Sequence, residues 1–99
     1  MLNINKHRDN TEVVIELEGR LDTITAPDLD AELKTILPDV KELVLDFEKL
    51  DYISSAGLRV LLSAQKAISR KGDMTVIHVN DTIMEIFEVT GFCDILTIA

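Results

Sequence analysis

The chain has 99 residues, of which 46% are hydrophobic and 28% charged, with three Phe, one Tyr and no Trp. This length suits a single domain over residues 1–99 with one core built mainly from Leu, Ile and Val, and the composition argues against disorder. Asp and Glu number 18 against 10 Lys and Arg, so the formal net charge of −8 would repel a phosphate backbone and argues against a nucleic acid partner.

The N-terminal segment MLNINKHRDN contains no apolar run of signal-peptide length, and no stretch of 18 apolar residues occurs in the chain. We therefore expect a soluble cytoplasmic protein with no direct membrane insertion. Cys93 is the only cysteine, which excludes an internal disulfide. Its position between Phe92 and Asp94 favours a packed thiol over a reactive one.

The first predicted elements are two strands. In residues 12–18, Val13, Ile15 and Leu17 alternate with more polar neighbours, which is the period of a strand with one solvated face. The apolar residues at positions 2 and 4 are expected to begin a partner strand.

A helix is predicted next, over about residues 26–37, with Thr25 as its N-cap, Asp28 three residues further on and Pro38 as its stop. The short apolar run ELVLDF (42–47) then predicts a buried strand.

The best-defined helix is predicted over residues 58–71, because one stripe of that segment is apolar: Leu58, Leu61, Leu62, Ala64 and Ile68. Residues 74–79, which include His78, predict a strand. A third helix is expected from a cap at Asp81 or Thr82 to a stop at Gly91, and DILTIA (94–99) predicts a last short strand.

The predicted order of elements is β-β-α-β-α-β-α-β. The strand at 42–47, the helix at 58–71 and the strand at 74–79 form one right-handed βαβ unit with parallel strands. We therefore predict an α/β fold with a mixed sheet of four to five strands and helices packed on it.

Known catalytic and ligand motifs are absent from the sequence. HExxH, paired CxxC, GxGxxG and the phosphate-loop pattern do not occur, so we predict no metal site and no cofactor. His78 is interpreted as a strand residue and His7 as an exposed one.

The segment YISSAGLR (52–59) links a buried strand to a helix and raises the question of what its serines do. A hydrolase nucleophile is disfavoured, because the pattern GxSxG is missing and Ile53 stands where its first Gly would be. The chain is also short for a pocket with a His and an acid in reach. Enzymatic catalysis is therefore not expected.

Two interpretations of Ser54 and Ser55 remain. Either could be an N-cap, the preferred role of serine at such a position. Alternatively, Ser55 is a modification site, because loops at the carboxyl ends of parallel strands form the usual functional edge and a helix N-terminus accepts an anion. The neighbouring Ala56 and Gly57 are small and leave the backbone approachable.

Three segments resemble the STAS domain of bacterial anti-sigma factor antagonists: GRLD at 19–22, DFEKLDYISSAGL at 46–58, and IFEVTGF at 86–92. The resemblance covers nearly the whole chain and implies a STAS-like fold. It also implies that Ser55 is phosphorylated by an anti-sigma factor that is itself a serine kinase, and that a serine phosphatase reverses the modification. Ser54 stands where many relatives have Asp.

The resemblance further implies a partner-binding edge that is closed to the anti-sigma factor once Ser55 is phosphorylated. The edge comprises Asp22, Thr23, Ser54, Ser55, Ala56, Gly57, Leu58 and Arg59. Several of these residues have a second interpretation. Arg59 could reach the phosphate or be a solvated helix residue, and Asp22 could contact the partner or only shape its loop. Asp46 is expected to hydrogen-bond loop backbone near Ser55.

Three functional hypotheses follow. The first is an anti-sigma factor antagonist switched off by phosphorylation of Ser55. The second is a STAS subunit of a membrane transport complex or a larger signalling assembly that is not phosphorylated. The third is a sensor that binds a small ligand or nucleotide, or an enzyme.

Overall fold

Five strands and three helices make up the computed structural model, which describes residues 2–99. The strands are β1 (Leu2–Asp9), β2 (Glu12–Leu21), β3 (Glu42–Ile53), β4 (Asp73–Ile77) and β5 (Thr97–Ile98). The helices are α1 (Ala26–Ile36), α2 (Ser55–Ile68) and α3 (Asp81–Thr90), and a 3-10 helix (Phe92–Asp94) precedes β5. The predicted order of elements is therefore confirmed.

The strands form one mixed sheet in the order β1-β2-β3-β4-β5. The first two strands pair as an antiparallel hairpin, with Ile4 opposite Leu17, as the sequence predicts. The pairs β2-β3, β3-β4 and β4-β5 are parallel. Each parallel pair needs a crossover connection, and the three helices supply these crossovers.

The core lies on one face of the sheet. Val13, Ile15 and Leu17 of β2 are fully buried, whereas Val14 is half-buried and Glu16 exposed. The same alternation occurs in β3 and β4, so the helices pack on a single face and the other is left uncovered. Buried residues of all three helices join this core: Ala26, Leu29, Leu33, Ile36, Leu58, Leu61, Ala64, Ile68, Ile83 and Phe87.

β3 is longer than predicted, and the predicted end at residue 47 is wrong. Its buried residues Phe47, Leu50 and Ile53 are spaced by three because the register with β2 shifts twice along this segment. These irregularities insert extra residues into β3 and hide the two-residue period of a strand. The strand therefore continues to Ile53 and ends directly before Ser54.

α2 accordingly begins at Ser55, three residues earlier than predicted, and ends at Ile68 rather than at residue 71. Its N-cap is Ser54, whose side-chain oxygen accepts a hydrogen bond from the N–H of Gly57. Ser55 thus occupies the first helical position, where its hydroxyl is not the cap.

Thr25 is the N-cap residue of α1, as predicted, but its side chain makes no cap hydrogen bond, because its hydroxyl bonds within the preceding loop. The predicted cap of α3 at Asp81 or Thr82 is wrong. The N-cap of α3 is Asn80, whose Oδ1 accepts from the N–H of Ile83 at 2.8 Å. Gly91 ends α3 in the left-handed conformation, as predicted.

The last predicted strand is reduced to Thr97–Ile98, since a 3-10 turn occupies residues 92–94. Cys93 is half-buried, and its Sγ lies 3.9 Å from the sulfur of Met84, an environment that fits a packed thiol. Across residues 2–99, no helix has both the length and the apolar character needed to cross a membrane.

Candidate functional site

Ser54 and Ser55 have different environments at the start of α2. The Ser54 Oγ accepts from the Gly57 N–H at 3.4 Å, a long cap, and the Ser54 carbonyl accepts from the N–H of Leu58 at 2.9 Å. Ser54 is half-buried, whereas Ser55 is exposed. The structure therefore assigns the cap to Ser54 and leaves the Ser55 hydroxyl directed to solvent at the helix N-terminus.

Gly57 lets the first turn of α2 sit close to the sheet. A Cβ at this position would lie 2.8 Å from Cγ of Leu21 and 2.8 Å from Cγ1 of Ile53, closer than real Cβ contacts occur. Gly57 is buried and Leu58 is 7% exposed, so both pack beneath the turn and add little to its exposed surface.

A second segment at this edge, the loop Asp22–Thr25, is built around two side chains. The Oδ1 atom of Asp22 accepts from the backbone N–H of Ile24 and of Thr25, each at 3.0 Å. In return, the Thr25 hydroxyl accepts from the Asp22 N–H at 2.9 Å and donates to the carbonyl of Arg20 at 2.8 Å. Thr25 is only 6% exposed, so its hydroxyl holds the loop from the buried side.

These contacts lower the pKa of the Asp22 carboxyl below its ordinary value. The hydrogen bond from the Thr25 backbone is the largest cause, and desolvation opposes it. The Ile24 backbone, the Thr25 hydroxyl and the positive charge of Arg20 also favour the carboxylate. The hydrogen bonds of the loop therefore favour the ionised form of Asp22.

The two segments meet through the backbone. Leu21 pairs with Ile53 at the ends of β2 and β3, and the next N–H, that of Ser54, donates to the Leu21 carbonyl at 2.9 Å. This contact brings together two stretches that lie about thirty residues apart in the sequence. We call this surface, the loop Asp22–Thr25 with the turn Ser54–Arg59, the Ser55 edge.

The predicted partner-binding residues all lie on the Ser55 edge, but they differ in exposure. The exposed ones are Thr23, Ser55 and Arg59. Asp22, Ser54 and Ala56 are half-buried, and only Gly57 and Leu58 are buried.

Three residues in or next to the Ser55 edge were not predicted. The guanidinium of Arg20 lies 4.5 Å from the ring centre of Tyr52, and its Nε is 4.0 Å from Oδ2 of Asp22. Ile24, between two polar residues of the loop, is 84% exposed. The GRLD motif contains Arg20, but the Tyr52 contact depends on strand pairing, which sequence spacing does not give.

Asp46 does not serve the Ser55 edge, so the prediction of a loop contact there is wrong. Its Oδ1 accepts from the N–H of Glu48 at 3.0 Å and lies 2.9 Å from Nδ1 of His78. Desolvation would raise the pKa of Asp46, but the hydrogen bonds from Glu48 and His78 outweigh it and lower that pKa.

His78 is not a strand residue as predicted, because it follows β4 with a positive φ of 57°. Its hydrogen bond to Asp46 raises the pKa of the imidazole, although desolvation acts against this. Asp46, Glu48 and His78 each offer one atom within 4.8 Å of the others, which is a geometry that could hold a metal ion. A histidine that is hydrogen-bonded to Asp46 and lies 4.0 Å from the Glu48 carboxylate accounts for the same arrangement.

The two histidines and two clefts of the described residues lie away from the turn Ser54–Arg59. Each histidine is paired with a carboxylate elsewhere, His78 with Asp46 and His7 with Glu16 at 2.9 Å. A cleft of about 40 Å³ on the uncovered sheet face and one of about 360 Å³ along α3 contain no residue of the Ser54–Arg59 turn. The exposed hydroxyl of Ser55 is therefore presented on an open surface.

Comparison with known proteins gives one family match and several relatives. Residues 4–97 match the family model described as Mlab, STAS domain. The chain is 32% identical over 97 residues to the anti-sigma-B factor antagonist of Listeria monocytogenes, with 94% of this chain and 83% of that protein covered. It is 36% identical over 85 residues to BtrV of Bordetella bronchiseptica, provisionally described as an anti-sigma factor antagonist, covering 84% of this chain and 73% of BtrV.

Solved structures share the fold at lower identity. A Mycobacterium paratuberculosis anti-sigma factor antagonist superposes with a TM-score of 0.90 at 18% identity, covering 99% of this chain and 85% of that one. SpoIIAA of Bacillus in its phosphorylated form gives 0.77 at 21% identity, covering 98% and 91%. These superpositions confirm the predicted fold, and the family match over residues 4–97 confirms the family resemblance.

Proposed function

Because the chain belongs to the STAS domain family of anti-sigma factor antagonists, we propose that it binds an anti-sigma factor through the Ser55 edge and that phosphorylation of Ser55 ends this binding. The anti-sigma factor releases its sigma factor when the chain binds. In this proposal the anti-sigma factor is also the serine kinase, and a serine phosphatase restores the active form. The chain acts in the cytoplasm by binding and performs no catalysis of its own.

The observation that carries the proposal is the division of roles between the two serines. Ser54 caps α2, so the exposed hydroxyl of Ser55 is not needed by the helix. An exposed hydroxyl at the first helical position is open to a kinase, and its modification leaves the cap intact. SpoIIAA, which has this fold, has been solved in both a phosphorylated and an unphosphorylated form.

A phosphate on Ser55 would change the charge of the edge more than its shape. Phosphorylation adds a charge of about −1.5 to −2 at neutral pH. The positive end of the α2 dipole and the N–H groups of its first turn tolerate an anion there, so the fold is kept. The Asp22 carboxylate belongs to the same edge, so the local charge facing a partner becomes strongly negative.

Loss of binding then follows from electrostatics and desolvation. A partner that fits the unmodified edge would have to strip water from a doubly charged group at the centre of the interface. Arg59, exposed four residues after Ser55 on α2, can pair with this phosphate and hold it in one conformation. Such pairing would fix the phosphate in place without neutralising it fully.

The first test is site-mapped mass spectrometry of the full chain recovered from its own cells, with Ser55→Ala and Ser54→Ala as paired variants. We expect one phosphate in the wild type and in Ser54→Ala, and none in Ser55→Ala. The kinase-bearing anti-sigma factors of the same organism, purified and supplied with ATP, should include one that binds the unmodified chain and phosphorylates Ser55.

Two results would contradict the proposal. One is a chain without phosphate in every growth condition, isolated in a stable complex with membrane transport subunits, which would favour the second hypothesis. The other is a phosphate that persists in Ser55→Ala and disappears in Ser54→Ala.

A further inference from the structure

Ile24 is the most exposed large apolar side chain in residues 2–99 at 84%, and it lies on the Ser55 edge. Val89 of α3, at 80%, is similarly exposed but lies on a different element. An isolated exposed apolar residue is common on protein surfaces and needs no explanation by itself. The surroundings of Ile24 distinguish it from Val89.

The backbone of Ile24 is held in place by hydrogen bonds within its loop. Its N–H donates to Oδ1 of Asp22 at 3.0 Å, and the flanking Thr25 N–H donates to the same oxygen. The Thr25 hydroxyl, nearly inaccessible, joins the loop to the end of β2. Four side-chain hydrogen bonds therefore fix a four-residue loop whose apolar tip is largely exposed.

A loop ordered in this way has already lost conformational entropy before it meets a partner. Binding energy is then not spent on ordering the loop, which is the advantage of a preorganised anchor. The loop also begins beside the turn that carries Ser55, since the Ser54 N–H donates to the carbonyl of Leu21, one residue before Asp22.

We propose that Ile24 is the apolar anchor by which the Ser55 edge binds the anti-sigma factor, and that Asp22 is a positioning residue that presents it. This inference rests on the proposed function. The partner should offer an apolar pocket for Ile24 with a basic group beside it, because the exposed Asp28 lies in the first turn of α1, directly after the loop.

The test measures the dissociation constant of the unphosphorylated chain for the anti-sigma factor identified by the experiment above. Ile24→Ala should weaken binding about tenfold or more, as buried anchor residues do, and Ile24→Val should keep most of the affinity. The matched control is Val89→Ala, which removes a similarly exposed apolar side chain and should change affinity less than about twofold. Unfolding midpoints should be unchanged in all three variants.

The positioning role of Asp22 needs a separate readout. Asp22→Ala removes the oxygen that holds the loop, whereas Asp22→Asn keeps an acceptor at the same place. We expect Asp22→Ala to weaken binding and Asp22→Asn to restore most of the loss. In the double variant with Ile24→Ala, the Asp22→Ala change should weaken binding no further, because it acts through Ile24.

The outcomes distinguish a failure of this inference from a failure of the proposed function. Wild-type binding that is lost on Ser55 phosphorylation but unchanged in Ile24→Ala would overturn the anchor and leave the proposed function standing. Full additivity in the double variant would overturn the positioning role of Asp22. Absence of wild-type binding to every kinase-bearing anti-sigma factor of the organism would overturn both.

Discussion

The backbone N–H of Ser54 donates a hydrogen bond to the carbonyl of Leu21 at 2.9 Å, directly beyond the last pair of residues that join β2 and β3. This bond continues the sheet into the two segments of the Ser55 edge. The loop that presents Ile24 and the turn that presents Ser55 thus share one rigid base. A change in packing at that base should affect both segments together.

Gly57→Ala tests this shared base. A Cβ at residue 57 would meet Leu21 and Ile53 at 2.8 Å, so either the first turn of α2 or those side chains must move. Overpacking of this kind costs about 1–3 kcal/mol and outweighs the gain of about 1 kcal/mol expected when Ala replaces Gly in a helix. Urea denaturation should therefore show a lower free energy of unfolding.

Ser63→Ala, at an exposed position in the same helix, is the control for helix propensity and should leave stability close to that of the wild type. A Gly57→Ala variant that is more stable than the wild type would show that the contacts with Leu21 and Ile53 relax without cost.

The charge of Asp22 should contribute stability only above a low pH. Its pKa is lowered in the folded state, chiefly by the hydrogen bond from the Thr25 backbone, from an ordinary value of 3.8. A carboxyl with a depressed folded pKa stabilises the protein above its unfolded pKa, and this contribution disappears as pH falls through the folded pKa. The difference in unfolding free energy between wild type and Asp22→Asn should therefore shrink below about pH 4.

Denaturant unfolding at a series of pH values from neutral to acid would measure this. Asp22→Ala is the matched comparison, since it removes the acceptor oxygen as well as the charge and should remain less stable than Asp22→Asn throughout. If the difference in unfolding free energy between the wild type and Asp22→Asn stayed constant down to the lowest pH, the lowered pKa of Asp22 would be contradicted.

The sequence predicts most of the fold because the core obeys simple periods. Val13, Ile15 and Leu17 alternate, and the apolar stripe of α2 has helical spacing, so these elements were identified correctly. The prediction fails in the second half of β3, where two register shifts replace the period of two by a spacing of three. A bulge arises from pairing with a neighbouring strand, which is tertiary information.

The Ser55 edge was predicted only in part, because its geometry also depends on tertiary contacts. Ser54 and Ser55 stand out in the sequence, but which of them caps α2 depended on where β3 ends. Asp22 was recognised from its motif, whereas its bonds to Ile24 and Thr25 depend on the loop conformation. The exposure of Ile24 could not be predicted from the sequence, since the exposure of a loop residue depends on the folded structure around it.

The contact between His78 and Asp46 should make stability depend on pH near neutrality. Hydrogen bonding to Asp46 raises the pKa of His78 above its ordinary value of 6.5. A raised folded pKa means that the contribution is fully present below about pH 6.5 and is lost as pH rises through the folded pKa. His78→Asn, which tolerates the positive φ, should therefore lose most stability relative to the wild type in mild acid and least above that pKa.

A proton NMR titration of the imidazole gives an independent measurement of the same contact. In Asp46→Asn the pKa of His78 should fall, because the charged acceptor is gone. An unchanged titration in that variant would mean that Asp46 is not the cause.

Replacement of Ser54 should lower stability, whereas replacement of Ser55 should remove the modification site with little effect on stability. Ser54→Ala removes the oxygen that accepts from the Gly57 N–H, so it should lower the free energy of unfolding by about 1 kcal/mol, the usual cost of a lost N-cap. Ser55→Ala changes an exposed hydroxyl outside the cap and should stay within about 0.5 kcal/mol of the wild type. Thermal and urea unfolding of both variants would measure these differences.

Ser54→Asp extends this comparison, because it replaces the capping hydroxyl with a carboxylate at the same position. A carboxylate at the N-cap accepts the Gly57 N–H and interacts favourably with the helix dipole, so stability should equal or exceed that of the wild type. Phosphorylation of Ser55 by the partner kinase should continue in Ser54→Ala despite its lower stability, since the acceptor hydroxyl is unchanged. A Ser55→Ala variant that is the less stable of the two would instead return the capping role to Ser55, and the division of roles on which the switch depends would fail.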